Sequence, residues 1–202
     1  MVGKMESLKY LVLTLDELYE MTLDLSILIK NKLRNIEAIV AVSKGGVIIA
    51  RLLADFLNIK YLYSIQVALY EAPGKVGRKP ILVQSFTCRN KHTTALIVDD
   101  VSDTGITLSF AYDHVKSIIP TVYTATLFIK PWTKYVPDFY LKTTDKWIIF
   151  PHEYAEFVRE AIKYFSQKNW PQEKILKWIT SYCGFPEKIL LRVMKVISLD
   201  IS

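Results

Sequence analysis

Three acidic residues and a run of small polar residues follow an apolar stretch in the middle of the chain. The segment LIVDDVSDTGITL covers residues 96–108 and contains Asp99, Asp100, Asp103, Thr104, Gly105 and Thr107. A short turn of small residues at the start of a helix suits a phosphate, because backbone N–H groups and the helix dipole attract an anion. Two adjacent carboxylates would repel a phosphate, so they favour sugar hydroxyls, a metal ion or both. A ribose 5-phosphate would satisfy both halves of the segment.

A second turn of small residues lies earlier in the chain. The sequence SKGG, residues 43–46, follows the apolar run IEAIVAV. Glycines at this point would let backbone amides approach an anionic ligand closely. Taken alone the signal is weak, since a Gly-Gly turn between a strand and a helix is mostly a packing device.

The surrounding sequence predicts the elements that would hold these two turns. Apolar runs predict strands over 36–42, 60–70, 81–86, 94–100, 121–129 and 146–150, and helical spacing predicts helices over 15–33, 47–57 and 107–119. Thr14 followed by Glu17 predicts a capping box at the start of the first helix. Alternating strands and helices indicate an α/β fold with a mostly parallel sheet flanked by helices. Both turns then lie at carboxyl ends of strands, where such sheets bind ligands.

Two further regions differ in composition from this core. The segment EAPGKVGRKP, residues 71–80, is rich in Gly, Pro and basic residues and predicts a long mobile loop. From residue 152 onwards, three helical patterns separated by Pro and Gly predict a small helical bundle. We therefore predict an α/β domain over residues 1–151 and a helical appendage over 152–202.

The bulk composition sets broad limits on partners. The chain has 202 residues, 26 Lys and Arg against 20 Asp and Glu, and an isoelectric point near 9.1. This basic excess suits an anionic ligand, but no dense basic block typical of nucleic-acid arms is present. The two cysteines have no zinc spacing and indicate reduced thiols in a cytoplasmic protein. No signal peptide or membrane span is expected.

The segment around the acids closely resembles the phosphoribosyl-pyrophosphate (PRPP) motif of type I phosphoribosyltransferases. That pattern is an apolar strand, two acids, two residues and Asp-Thr-Gly-x-Thr, and each defining position is met here. The resemblance implies that Asp99 and Asp100 hold the ribose hydroxyls and the magnesium-bound sugar. It implies that residues 102–107 wrap the 5′-phosphate and that Asp103 acts as general acid or base near the purine.

The turn at residues 43–46 resembles the pyrophosphate loop of the same family, with Lys44 in place of a common arginine. The full set of implied PRPP and phosphate contacts is Ser43, Lys44, Gly45, Asp99, Asp100, Ser102, Asp103, Thr104, Gly105, Ile106 and Thr107. The loop at 71–80 lies where the family has its flexible lid, and Lys75, Arg78 and Lys79 are candidates to close over pyrophosphate.

The segment at residues 128–154 resembles the base-binding hood of the 6-oxopurine branch. The resemblance implies that Lys130 reads the base, that Trp147 stacks on it, and that backbone groups at Ile148 and Ile149 read its edge. Glu153 is implied as a further magnesium ligand beside Asp99 and Asp100. For Trp147, plain core packing is the alternative role.

The helical tail together with the hood resembles a crenarchaeal subgroup of purine phosphoribosyltransferases that uses adenine. The sequence therefore favours adenine, giving AMP in purine salvage, with a hypoxanthine, guanine or xanthine enzyme as the alternative. Lys130 argues for that alternative, because an ammonium only donates and pairs naturally with a 6-oxo group. A PRPP-sensing regulator is a further alternative, and an orotate enzyme is disfavoured. A homodimer with Mg²⁺ as cofactor, and without nucleic-acid or membrane partners, is expected.

Overall fold

The computed structural model describes residues 5–71, 78–88 and 90–199. The chain divides into two compact units. One consists of Tyr19–Thr144 and is called the sheet unit below; the other combines Met1–Leu18 with Asp145–Ser202 and is called the helical unit. These ranges differ from the predicted domains 1–151 and 152–202, which remain a prediction.

Within its described residues, the sheet unit contains one sheet of six strands in the order β4-β3-β2-β5-β6-β7. The strands are β2 (Ala38–Ser43), β3 (Tyr61–Glu71), β4 (Arg78–Gln84), β5 (Thr94–Ser102), β6 (Thr121–Ile129) and β7 (Phe139–Thr143). All neighbouring pairs are parallel except β3 and β4. The predicted α/β class with a mostly parallel sheet is confirmed.

Three helices lie between strands along the chain, and the second and third pack on the strands of the sheet. The helices are α1 (Leu15–Lys32), α2 (Gly46–Phe56) and α3 (Ile106–Lys116). The predicted capping box begins α1, since Glu17 N–H donates to Thr14 Oγ1 over 3.2 Å and Thr14 N–H donates to the Glu17 carboxylate over 2.8 Å. One core cluster of the sheet unit joins α3 to the strands through fully buried Val40, Ile97 and Val115.

The helical unit begins with a pair of short parallel strands. Tyr10–Val12 forms β1 and Trp147–Ile149 forms β8, with Tyr10 opposite Trp147. The helices that follow are α4 (Tyr154–Ser166), α5 (Gln172–Lys177), a π-helical turn at Trp178–Tyr182 and α6 (Glu187–Leu199). Short 3₁₀ helices occupy Met5–Ser7 and Pro151–Glu153. The C-terminal helices are therefore present as predicted.

The core of the helical unit is rich in aromatic side chains. Phe165 is fully buried, with its ring centroid 4.3 Å from that of Trp170 and 4.5 Å from that of Trp178. Burial raises the pKa of the Cys183 thiol in this cluster to about 12, so the thiol stays protonated at neutral pH. Both cysteines are free, as expected.

Some element boundaries differ from those predicted. Both ends of the predicted loop 71–80 lie in strands, since Glu71 ends β3 and pairs with Arg78, the first residue of β4. Residues 72–77 lie outside the described residues. Pro80 lies in β4, where an edge strand tolerates the missing N–H. The strands β1 and β7 were not predicted. Among the described residues, no helix is long and apolar enough to cross a membrane.

Candidate active site

Three chain segments lie at one edge of the sheet unit, because β2, β5 and β6 run parallel and end on the same side. Residues 43–46 run from the end of β2 to the start of α2, residues 103–107 follow β5, and residues 130–135 follow β6. Parallel α/β sheets bind ligands beyond the carboxyl ends of their strands. The segments that carry most of the predicted contacts are thus brought to this edge.

The glycines of the first turn pack directly against the acidic strand end. A Cβ atom at Gly45 would lie 2.1 Å from Asp100 Oδ2, and one at Gly46 would lie 2.2 Å from the Val98 carbonyl oxygen. Both distances are too short for any larger residue, so the two glycines allow the turn to approach the acids. The Ser43–Lys44 peptide bond is cis, and the Lys44 side chain is exposed.

Asp99 and Asp100 are both buried, with exposed fractions of 8% and 7%. Asp99 Oδ1 accepts the N–H of Asp100 over 3.0 Å, and Asp100 Oδ1 accepts the N–H of Val101 over 2.7 Å. Each carboxylate is therefore oriented by the backbone of the next residue. Their oxygens are the kind of ligand that Mg²⁺ or sugar hydroxyls require.

The turn after the acids begins α3 with a left-handed residue. Gly105 has φ +82°, and a Cβ atom there would lie 2.6 Å from the backbone nitrogen of Tyr135. The next residue is the first of α3, where backbone N–H groups lack a carbonyl partner within the helix and can bind an anion. Thr104 Oγ1 accepts the N–H of Ile106 over 3.4 Å, and Thr107 lies in the first turn, half-buried.

Ser102 has a structural contact that the sequence did not indicate. The residue is 1% exposed, and its hydroxyl donates to the Tyr135 carbonyl over 2.7 Å and lies 2.9 Å from Thr133 Oγ1. The Ser102 proton is thus engaged within the protein, where the sequence suggested a phosphate donor. Burial raises the pKa of the Tyr135 phenol, which stays protonated at neutral pH.

The segment after β6 runs beside this turn. Lys130 is buried, and its backbone N–H donates to the Ser102 carbonyl over 3.0 Å. Trp132 Nε1–H donates to Asp103 Oδ1 over 2.8 Å. The Lys130 ammonium lies 5.7 Å from the centroid of the Trp132 ring. Lys130, predicted to read the purine, and Asp103, the predicted general acid or base, therefore both contact Trp132. The sequence did not indicate a role for Trp132.

An open cavity of about 300 Å³ borders the start of α3. Its lining includes the backbone turn at Thr104, Gly105 and Ile106, together with the exposed Lys134. The lysine adds a positive charge beside the helix N-terminus, which suits an anion.

Four further candidate residues come from β8 and the 3₁₀ helix that follows it. Trp147, Ile148, Ile149 and Glu153 belong to the helical unit. Trp147 is 41% exposed and lines a cavity of about 200 Å³ with Tyr10 and Phe157, whereas Ile148 and Ile149 are buried. The Ile149 carbonyl accepts the Leu13 N–H over 3.1 Å.

The lid candidates are only partly covered by the structure. Lys75 lies outside the described residues, Arg78 is the first residue of β4, and Lys79 is exposed on that strand. Their contact with pyrophosphate stays a prediction.

A family model described as "Phosphoribosyl transferase domain" matches residues 15–156 of the chain. Among curated proteins, the chain is 27% identical over 152 residues to a xanthine-guanine phosphoribosyltransferase of Gluconobacter oxydans, covering 74% of this chain and 88% of that protein. It is 31% identical over 117 residues to the xanthine-guanine phosphoribosyltransferase of Desulfotalea psychrophila, covering 57% of this chain and 69% of the relative.

A solved structure is also similar. A purine phosphoribosyltransferase from Pyrococcus horikoshii superimposes with a TM-score of 0.62 at 34% sequence identity, covering 70% of this chain and 92% of that one. The family match spans the whole sheet unit, including the two turns and the segment after β6.

Proposed function

Because the chain belongs to the type I phosphoribosyltransferase family and to its purine branch, we propose that it joins a 6-oxopurine base to PRPP and releases pyrophosphate. The bond from the anomeric carbon to a pyrophosphate oxygen breaks, a bond to a ring nitrogen of the base forms, and the base loses one proton. The observation that carries the proposal is the close approach of Gly45 to Asp100, which supports a single site shared by the two predicted ligand turns.

The donor would bind with its two ends on different parts of the turn. Asp99 and Asp100 would accept hydrogen bonds from the ribose hydroxyls, since ionised carboxylates are strong acceptors. The backbone N–H groups from Gly105 to Thr107 would hold the 5′-phosphate at the start of α3. Ser43, Lys44 and Gly45 would contact the pyrophosphate. This division keeps the phosphate away from the acids.

Asp103 would act on the base rather than on the sugar. Its carboxylate lies after the acid pair and before the glycine of the turn, and it can take the proton that the purine nitrogen loses. The anomeric carbon becomes positively charged as the leaving group departs. The protein mainly positions the two substrates and stabilises these developing charges.

The residues present fit a magnesium ion. Asp99 and Asp100 offer buried carboxylate oxygens at the end of β5, and hard oxygen ligands are those that Mg²⁺ prefers. Bound Mg²⁺ would neutralise negative charge on the pyrophosphate. We keep Glu153, in the helical unit, as a further proposed ligand.

Lys130 favours a 6-oxopurine over adenine. Its ammonium can only donate, so it matches the oxygen of hypoxanthine, guanine or xanthine better than the amino group of adenine. The names of the curated relatives support the same choice. The adenine preference suggested by the helical tail is thus less well supported than its alternative. Stacking of the base on Trp147, and reading of its edge by Ile148 and Ile149, remain part of the proposal.

The deciding experiment measures pyrophosphate release from PRPP and Mg²⁺ with adenine, hypoxanthine, guanine and xanthine in turn. We expect turnover with one or more 6-oxopurines and little with adenine. Turnover with adenine alone would overturn the 6-oxopurine assignment. PRPP binding without turnover on any base would instead favour the regulatory alternative.

A lysine variant tests the base reader directly. Lys130→Gln should lower kcat/KM for the 6-oxopurine by about tenfold or more, because an amide replaces a charged donor. Lys142→Gln, at an exposed lysine of β7, removes the same charge and serves as the control. Equal effects of both variants would remove Lys130 from base recognition. A homodimer and a cytoplasmic location stay predictions.

A further inference from the structure

The turn after β6 is hydrogen-bonded to the residues immediately before and after Asp103. The Lys130 N–H donates to the Ser102 carbonyl over 3.0 Å, and the Lys134 N–H donates to the Thr104 carbonyl over 3.2 Å. Between these two backbone bonds, Trp132 Nε1–H donates to Asp103 Oδ1 over 2.8 Å. These two backbone hydrogen bonds therefore hold the Trp132 indole beside the Asp103 carboxylate.

The backbone of Trp132 is also restrained locally. The Thr133 N–H donates to the Lys130 carbonyl over 3.0 Å, which closes a four-residue turn with Pro131 and Trp132 as its central residues. Proline fixes φ at the first central position and favours this kind of turn. The indole has only two rotatable bonds beyond this backbone, so little freedom remains once its N–H is bound.

The same ring faces the buried lysine. The Lys130 ammonium lies 5.7 Å from the centroid of the Trp132 ring, within the range of a cation–π contact. One side chain thus contacts the proposed base reader through its ring and the proposed acid or base through its N–H.

We infer that Trp132 is a positioning residue that fixes the Asp103 carboxylate, and with it the Lys130 ammonium, for the purine. This inference rests on the proposed function. Trp132 is 52% exposed, and burial of apolar surface is non-directional, so it does not by itself fix the orientation of the indole N–H. A hydrogen bond to an ionised acceptor is among the stronger ones, and it restricts which rotamer Asp103 adopts.

The kinetic test separates the indole N–H from the ring. Trp132→Phe removes the donor and keeps an aromatic ring beside Lys130, whereas Trp132→Leu removes both. We expect Trp132→Phe to lower kcat by about tenfold with little change in KM for PRPP, since the lost bond orients only Asp103. Trp132→Leu should add a rise in KM for the base. An unchanged kcat in Trp132→Phe would overturn the inference.

A double-mutant cycle checks that Trp132 acts through Asp103. In an Asp103→Asn background, Trp132→Phe should cause no further loss of kcat. If the two losses multiply, Trp132 acts independently of Asp103 and the inference is wrong.

A readout that does not depend on turnover keeps this inference distinct from the proposed function. The chain has four tryptophans, so its ¹⁵N spectrum contains four indole N–H signals, and Trp132→Phe identifies the one from Trp132. Asp103→Asn should shift that signal and leave those of Trp147, Trp170 and Trp178 in place. An unmoved Trp132 signal would show that the bond is absent in solution. Wild-type protein without turnover would overturn the proposed function, while this spectrum would still decide the contact.

Discussion

In the turn from Ser102 to Thr107, hydrogen bonds and one left-handed glycine set the geometry, whereas the C-terminal helices of the helical unit are held by buried aromatic rings. The shape of the turn depends on single atoms such as the missing Cβ of Gly105 and the Ser102 hydroxyl. The helices depend on clusters such as Phe165 with Trp170 and Trp178, in which many atoms share the burial.

This difference predicts separate consequences for change in the two regions. Substitutions of the carboxylate side chains at the turn should alter ligand affinity or turnover more than the free energy of unfolding, whereas a side chain at Gly105 would disturb the turn itself. Substitutions at polar positions of the helical unit other than Glu153 should alter stability without altering PRPP binding. The predictions below test that separation, beginning with the largest expected effect.

The acid pair should give the largest loss. Asp99→Asn together with Asp100→Asn removes two charged acceptors and should weaken PRPP binding in Mg²⁺ by about a thousandfold. Titration calorimetry measures the affinity. Asp24→Asn with Asp55→Asn removes the same charge at exposed positions and is the matched control. If both double variants bind PRPP equally well, the ribose site has been placed wrongly.

Asp103 should affect turnover rather than binding. Asp103→Asn keeps the size of the side chain but cannot accept a proton, so kcat should fall by about a hundredfold with a similar KM for PRPP. Steady-state kinetics with the preferred base checks this. Turnover equal to that of the wild type would remove Asp103 from the acid or base role.

Two glycines with positive φ, one in each region, allow the turn and the helical unit to be compared directly. Gly105 has φ +82° and tight surroundings, whereas Gly184 has φ +76° and no described atom within 4 Å of a built Cβ. Gly105→Ala should lower the free energy of unfolding by about 3 kcal/mol, because left-handed strain and a steric clash add. Gly184→Ala should cost about 1 kcal/mol, from strain alone. Denaturant titration measures both, and equal losses would contradict the clash.

The smallest effect is expected at a surface ion pair of the helical unit. Hydrogen bonds from Lys168 and then Tyr164 lower the pKa of Glu6 to about 2 from its ordinary 4.5. A lowered pKa in the folded state gives stability that is present above pH 4.5 and is lost as pH falls towards 2. Glu6→Gln should therefore melt slightly below the wild type at pH 7, and this difference should vanish near pH 2.

The matched control for Glu6 is Glu173→Gln, at an exposed position in the first turn of α5. It should show no comparable loss of the melting difference between pH 7 and pH 2. A Glu6→Gln difference that stays constant over this range would contradict the ion pair, and PRPP affinity should be unchanged in both variants.

The sequence predicted the sheet and the convergence of its turns because these features follow from residue types. Buried parallel strands are continuous apolar runs, and a glycine is required where the backbone is left-handed, as at Gly105. The capping box of Thr14 and Glu17 is a contact between residues three apart, so spacing alone identifies it.

Other features could not be found in this way. The strand β1 has only three residues and forms by pairing with β8, which lies more than 130 residues later in the chain. The strand β7 is a mostly exposed edge strand without regular alternation. Trp132 is an exposed aromatic in a turn, and its partner Asp103 is 29 residues earlier, so no periodicity connects them. Contacts of this kind follow from the assembled sheet.

Trp132 can also serve as an intrinsic fluorescence probe of the proposed site. Its indole is half exposed and bonded to a carboxylate in the proposed site, whereas Trp170 and Trp178 belong to the aromatic cluster of the helical unit. Exposed indoles emit at longer wavelengths than buried ones, and Trp147 is also 41% exposed. The emission of Trp132 is therefore obtained as the difference between the wild type and Trp132→Phe. Occupancy of the site could then be titrated without any attached dye.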